Sequence, residues 1–159
     1  MMRKTGKVTD VCVSSKKGVS KTPVGAIRLL EDVGVEGDAH AGTPARQVSL
    51  LCEESAQELS GSGIDLSAGV FAENLRVEGL APGDFRLGTL VRLQRGALLE
   101  VSQMGKECHK GCAIARQVGR CVMPTEGVFA RVVRGGEVRA GDSLEVTADE
   151  DTSCRTGDQ

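Results

Sequence analysis

The stretch "MGKECHKGCAIARQVGRC", residues 104–121, concentrates three of the chain's six cysteines and one of its two histidines. Cys108 sits among Lys106, His109 and Lys110, and a helix beginning near Lys110 would point its first amides back at the sulfur. Cationic neighbours and a helix N-terminus both lower a thiol pKa and make thiolate available near neutral pH. Cys112 follows by four residues, on the same helical face, where it could act as a resolving thiol. Cys121 comes after Gly119 and could fold back toward the pair. The rival is a structural zinc at Cys108, Cys112 and Cys121, but C-H-x2-C is a poor ligand spacing beside the usual C-x2-C turn. A C-x3-C pair also lacks the tight geometry of thioredoxin-type dithiols. Cys12 and Cys52, each inside an apolar run, read as small buried hydrophobes.

A second constellation is "GVEGDAHAGTPARQVSL". Gly34, Gly37 and Gly42 bracket Asp38 and His40, and Arg46 precedes the next β-run. Exposed loop amides followed by a guanidinium suit an anion such as phosphate. Between glycines, however, Asp-x-His is more often a hydrogen-bonded turn than a ligand pair. Neither a P-loop nor a G-x-G-x-x-G is present, so no ATP or NAD site is expected. Glu73 and Asn74 in "GVFAENL" read as a polar pair at a strand entrance, and Arg131 and Arg134 add positive charge near the chain end.

These residues need a scaffold, and composition says which kind. The chain has 159 residues, nineteen of them valine, with three Phe and no Trp or Tyr. One aliphatic, β-leaning core of single-domain size follows. Valine-rich runs recur between glycines: "KVTDVCVS", "GAIRLLEDVGVEG", "RQVSLLC", "NLRVEG", "GTLVRLQRG", "ALLEVSQMG", "VFARVVRGG" and "DSLEVTA". This spacing predicts a mainly β sandwich or barrel. Gly96 is expected to turn one hairpin and Gly135-Gly136 another. Short helices are expected in "CEESAQELSGSG" and "KGCAIARQVGR". The net charge of -2, with both signs interspersed, argues against nucleic acid or an anionic membrane as partner. No apolar run is long enough to span a bilayer and no export signal is evident, so a cytoplasmic location with reduced thiols is expected. The tail, residues 148–159, is polar and reads as disordered, with Cys154 idle in it.

Taken in order, "GVEGDAHAG...RQVSLL", "GVFAENL" with "GTLVRL", and "GKECHKGCAI...GRCVMPTEGVFARVVRGGEVRAGD" resemble a stand-alone bacterial MOSC domain, the module named for the C-terminus of molybdenum cofactor sulfurase. The resemblance covers residues 5–147. It implies a β-barrel like that of the pyruvate kinase barrel domain, with a few short helices. It also implies binding of molybdenum cofactor (molybdopterin), or sulfur relay to it, through a family cysteine that Cys108 matches. Gly37, Asp38, His40 and Arg46 match the family's loop and basic residue, and Glu73 and Asn74 its "EN" element. Lys106 and Arg131 join these as candidate cofactor contacts. The implied partners are a cysteine desulfurase or the proteins of molybdenum cofactor biosynthesis, and the oligomeric state is left open. Family relatives also include molybdenum-dependent reductases of N-hydroxylated compounds, which need an electron partner. Pyridoxal phosphate belongs to the sulfurase's desulfurase domain and is not expected on this chain.

Overall fold

The computed structural model describes residues 2–17, 19–58, 66–105 and 127–148. Among these residues, eleven strands and one short α-helix run in the order β1 (Met2–Val13), β2 (Thr22–Val24), β3 (Ala26–Leu30), β4 (Gly34–Val35), β5 (Val48–Cys52), α1 (Glu53–Gln57), β6 (Leu75–Glu78), β7 (Leu90–Leu93), β8 (Leu98–Met104), β9 (Val128–Arg134), β10 (Gly136–Arg139) and β11 (Ser143–Ala148), with a 3-10 turn at Pro82–Asp84. Seven of the strands close on themselves in the order β11-β7-β8-β9-β5-β6-β1, because β1 also pairs with β11. The expected barrel is therefore formed. Its seam is β1, whose first half runs antiparallel to β11 from Met2 opposite Ala148 to Lys7 opposite Ser143. The second half of β1 turns past an irregularity between Val8 and Asp10 to pair with β6. Among the described strands only the β5–β6 ladder is parallel. A three-stranded sheet, β10-β3-β4, lies beside the barrel.

Period-two alternation puts one face of each strand inside. Val8 and Val11 of β1, Val48 and Leu50 of β5, Val91 and Leu93 of β7, Leu99 and Val101 of β8, and Leu144 and Val146 of β11 fill one cluster. The valine-rich composition is thus a barrel filling, each side chain contributing about 1.5–3 kcal/mol by burial. Cys12 and Cys52 are buried in β1 and β5 as the apolar context predicted. Among the described residues no helix is long and apolar enough to cross a membrane.

Two local expectations need correction. Gly96, with φ 106°, does turn the β7–β8 hairpin. The pair Gly135-Gly136 does not turn a hairpin: β9 stays in the barrel between β8 and β5, while β10 crosses to β3 in the small sheet. The glycine is needed for close approach instead, since a Cβ on Gly135 would lie 2.5 Å from the Leu29 carbonyl oxygen. Gly135→Ala is therefore expected to cost about 1–3 kcal/mol, read as a lowered urea midpoint with unchanged slope. Second, "GAIRLLEDVGVEG" is two strands, β3 and β4, folded about Asp32, which adopts φ 56°.

Helix α1 forms at the start of the expected helical stretch and is docked by its two first-turn acids. Glu53 accepts from Arg76 Nη1 at 2.8 Å, and Glu54 accepts from the Gly79 amide at 2.9 Å. The second expected helix, residues 149–159 of the polar tail, and Cys108, Cys112, Cys121, His109 and Lys106 lie outside the described residues, whereas Ala148, where the tail was expected to begin, ends β11.

Candidate functional site

The loop from Glu36 to Gln47 leaves β4 and enters β5. Within it Asp38 forms the hydrogen-bonded turn that its glycine setting suggested: Oδ2 accepts from the His40 amide at 3.0 Å. The other oxygen, Oδ1, reaches outside the loop. It accepts from the Ser14 amide, just past β1, at 3.0 Å and from Lys21 Nζ at 2.8 Å. Both side chains of the Lys21–Asp38 pair are fully buried, whereas the His40 ring is 19% exposed. Burial pushes the Asp38 carboxyl up, but contacts from His40 and Lys21 outweigh it and hold the group well below the usual carboxylate range. Lys21 was missed by sequence reasoning. It stands 17 residues from Asp38, and a lysine in "SKTPVG" ordinarily signals a solvated face.

Glu73 and Asn74 are also interior. Glu73 accepts from the amides of Gly69 and Phe71 at 2.8 and 3.1 Å and from Arg76 Nε at 2.8 Å. Burial lowers the Arg76 pKa, but Glu73 and Glu53 more than reverse that and hold it above its ordinary value. Asn74 accepts from the Ser49 amide and donates to the Cys12 carbonyl, both at 3.0 Å, stitching β5 to β1. Here the "EN" element holds the barrel end together. The two motifs meet through Lys21, whose backbone amide donates to the Gly69 carbonyl at 2.7 Å while its ammonium reaches Asp38. The Cys12 thiol lies in the same region. Burial first, then the Glu73 carboxylate, push it up to about 12, so it is not a nucleophile at neutral pH.

Arg46 is exposed, and the backbone beside it is fixed: Ser102 Oγ of β8 donates to the Ala45 carbonyl at 2.5 Å. Three residues beyond Ser102, the Gly105 amide donates to the Gly127 carbonyl at 2.8 Å, joining the two ends of the chain between which Cys108 lies in sequence. A Cβ on Gly37 or Gly42 would meet nothing within 4 Å, so the loop surface is open there. Arg131, in contrast, projects from β9 and pairs with Glu100 across the β8–β9 ladder at 2.5 Å. A groove of about 320 Å³ is lined by Val13, Ile27, Arg28, Glu36 and Glu137, and neither His40 nor Arg46 lines it. Among the described residues no group of three His, Cys, Asp or Glu side chains is placed to hold a metal ion.

A family model described as MOSC domain matches residues 37–145. No curated protein sequence matches the chain. Among solved structures, the YuaD protein from Bacillus subtilis superposes with a TM-score of 0.76 at 19% identity, over 91% of this chain and 97% of that one. YiiM from Escherichia coli gives 0.67 at 23% identity, over 94% of this chain and 71% of its own. YiiM from Geobacillus stearothermophilus gives 0.68 at 23% identity, over 89% and 75%. At these identities the likeness is one of fold.

Proposed function

Because this chain belongs to the MOSC domain family, we propose that it binds the molybdenum cofactor, or relays sulfur to it, with Cys108 as the working thiolate. The observation that most supports this reading is the Ser102–Ala45 hydrogen bond, which ties the backbone beside Arg46 to the strand that leads into the Cys108 segment. The glycine loop and the end of β8, about sixty residues apart in sequence, are thereby tied to one part of the barrel. The residues fit an anion-bearing cofactor there: Arg46 is exposed and the loop surface at Gly37 and Gly42 is open. When bound, the cofactor supplies the metal's redox and sulfur-transfer chemistry. Arg46 and the loop amides hold its phosphate by charge-assisted hydrogen bonds, with Lys106 a further cation in the cysteine segment. Glu73 and Asn74 act by fixing the barrel end on which the loop rests.

In the carrier form of the reading, the Cys108 thiolate attacks the outer sulfur of a persulfide on a cysteine desulfurase or another protein of cofactor biosynthesis. The donor's S–S bond breaks, the donor leaves as thiolate, and Cys108 holds the persulfide with no net oxidation. If the Cys112 thiolate attacks the Cys108 sulfur, the persulfide S–S bond breaks, hydrosulfide leaves and a Cys108–Cys112 disulfide remains. Protein purified gently from a host that makes molybdenum cofactor is expected to retain molybdenum and pterin, or to label as a Cys108 persulfide. Cys108→Ala is expected to lose both while remaining folded, and Cys154→Ala to lose neither. Equal retention and labelling in Cys108→Ala would overturn the reading, and stoichiometric zinc on Cys108, Cys112 and Cys121 would replace it with a structural metal.

A further inference from the structure

Lys21 Nζ is 3.2 Å from His40 Nδ1 as well as 2.8 Å from Asp38 Oδ1. A lysine ammonium has three N–H donors and no acceptor, so each neighbour at hydrogen-bond distance must offer it a lone pair. Asp38 does so as a carboxylate. His40 Nδ1 does so only if that nitrogen carries no proton. The competing arrangement, Nδ1–H donating to Asp38 Oδ2, has the longer separation of 3.5 Å and would turn an N–H toward a buried ammonium. Asp38 Oδ2 also accepts from the His40 amide at 3.0 Å. Thr43 fixes the same residue from the other side, its hydroxyl donating to the His40 carbonyl at 2.8 Å.

We propose that Lys21 is a positioning residue that locks His40 in the neutral Nε2–H tautomer, so that the ring offers a fixed hydrogen-bond donor to an oxyanion at the loop surface. Nε2 lies on the edge of the ring away from the buried contact, and the ring is the part-exposed member of the three. The Lys21 charge is already spent on Asp38, so the donor is a neutral one. The ligand chemistry is a phosphate, either free or as the monoester of a cofactor, and in the second case the inference rests on the cofactor reading above.

The chain has only two histidines, His40 and His109, so long-range proton–nitrogen spectra of the 15N-labelled full chain can be assigned with one His109→Gln variant. Without any ligand, His40 is expected to show an unprotonated, hydrogen-bonded Nδ1 and a protonated Nε2; a protonated Nδ1 would overturn the proposal. Inorganic phosphate is expected to shift the Nε2–H resonance, and His40→Ala to weaken phosphate binding about tenfold or more. His40→Gln, which keeps an N–H donor without a tautomer, is expected to restore much of it. Lys21→Met should then weaken phosphate binding in the His40 protein but not in the His40→Gln background. Equal loss in both backgrounds would mean that Lys21 only supports the loop, and would overturn the lock. If Lys21→Met does not fold, the ligand-free spectrum of the parent still decides. Phosphate binding without cofactor retention would leave the lock standing and reject the cofactor as its ligand.

Discussion

Replacing Arg76 by Met is expected to cost about 3–5 kcal/mol of folding stability, the usual consequence of leaving one buried charge without its partner. The Arg76 side chain is 2% exposed and that of Glu73 is 0% exposed, so neither can turn to water. The guanidinium does four jobs at once. It donates to Glu73 and Glu53, each at 2.8 Å, to the Leu66 carbonyl at 3.1 Å and to the Ser67 carbonyl at 2.9 Å. Methionine fills the apolar part of that space but satisfies none of the four acceptors. Glu73 would keep the Gly69 and Phe71 amides, which is why the loss should stop short of unfolding. The check is a urea melt with Glu73→Gln and the double variant Glu73→Gln/Arg76→Met. If the pair acts as one unit, the double variant loses clearly less than the sum of the singles. Strict additivity would show that the two charges contribute independently.

That pair marks where the sequence stops being legible. The strands could be read because valine at period two has only one use, which is to line the inside of a β structure. The number of runs left a sandwich and a barrel open, and the resemblance to the MOSC family selected the barrel. Gly135-Gly136 misled because turn chemistry is local: it records that the chain bends, but not whether the next strand pairs with the last one or leaves for another sheet. The cost of a Cβ there comes from Leu29, more than a hundred residues away in sequence, and no window of residues holds that information. The same reason hid Lys21 and Arg76. A lysine before a proline and an arginine inside "NLRVEG" carry the signature of solvated charge, and only the fold brings Asp38 to one and Glu73 to the other. Asp38 and Glu73 could be singled out because they stand in glycine-rich, motif-like settings; their partners stand in ordinary ones. The hydrogen-bonded turn at Asp38 was visible because both of its ends lie within three residues.

Asp38→Asn is expected to cost about 3–5 kcal/mol at neutral pH, because it leaves the Lys21 ammonium buried against an uncharged amide. Its effect should also depend on pH in a definite direction. The folded Asp38 carboxyl is held below its unfolded value of about 3.9. Such a group contributes its full stability above the unfolded value, and the contribution is lost as pH falls from there toward the folded one. Unfolding free energy of the parent should therefore fall steadily as pH drops below about 4, since the unfolded chain takes up a proton that the folded chain refuses. In Asp38→Asn the neutral-pH stability is lower and the acid decline shallower, so the two curves converge as the solution becomes more acidic. The decline should not vanish, because Asp84 and Asp142 are also lowered, Asp84 first by the Ala81 amide and Asp142 by Arg95 and Arg139 against the effect of burial. Urea melts of both proteins at several pH values between 3 and 7, at one fixed ionic strength, read this convergence directly. Parallel curves would mean that Asp38 titrates alike in the folded and unfolded chain and that its pairing with Lys21 does not stabilise the loop.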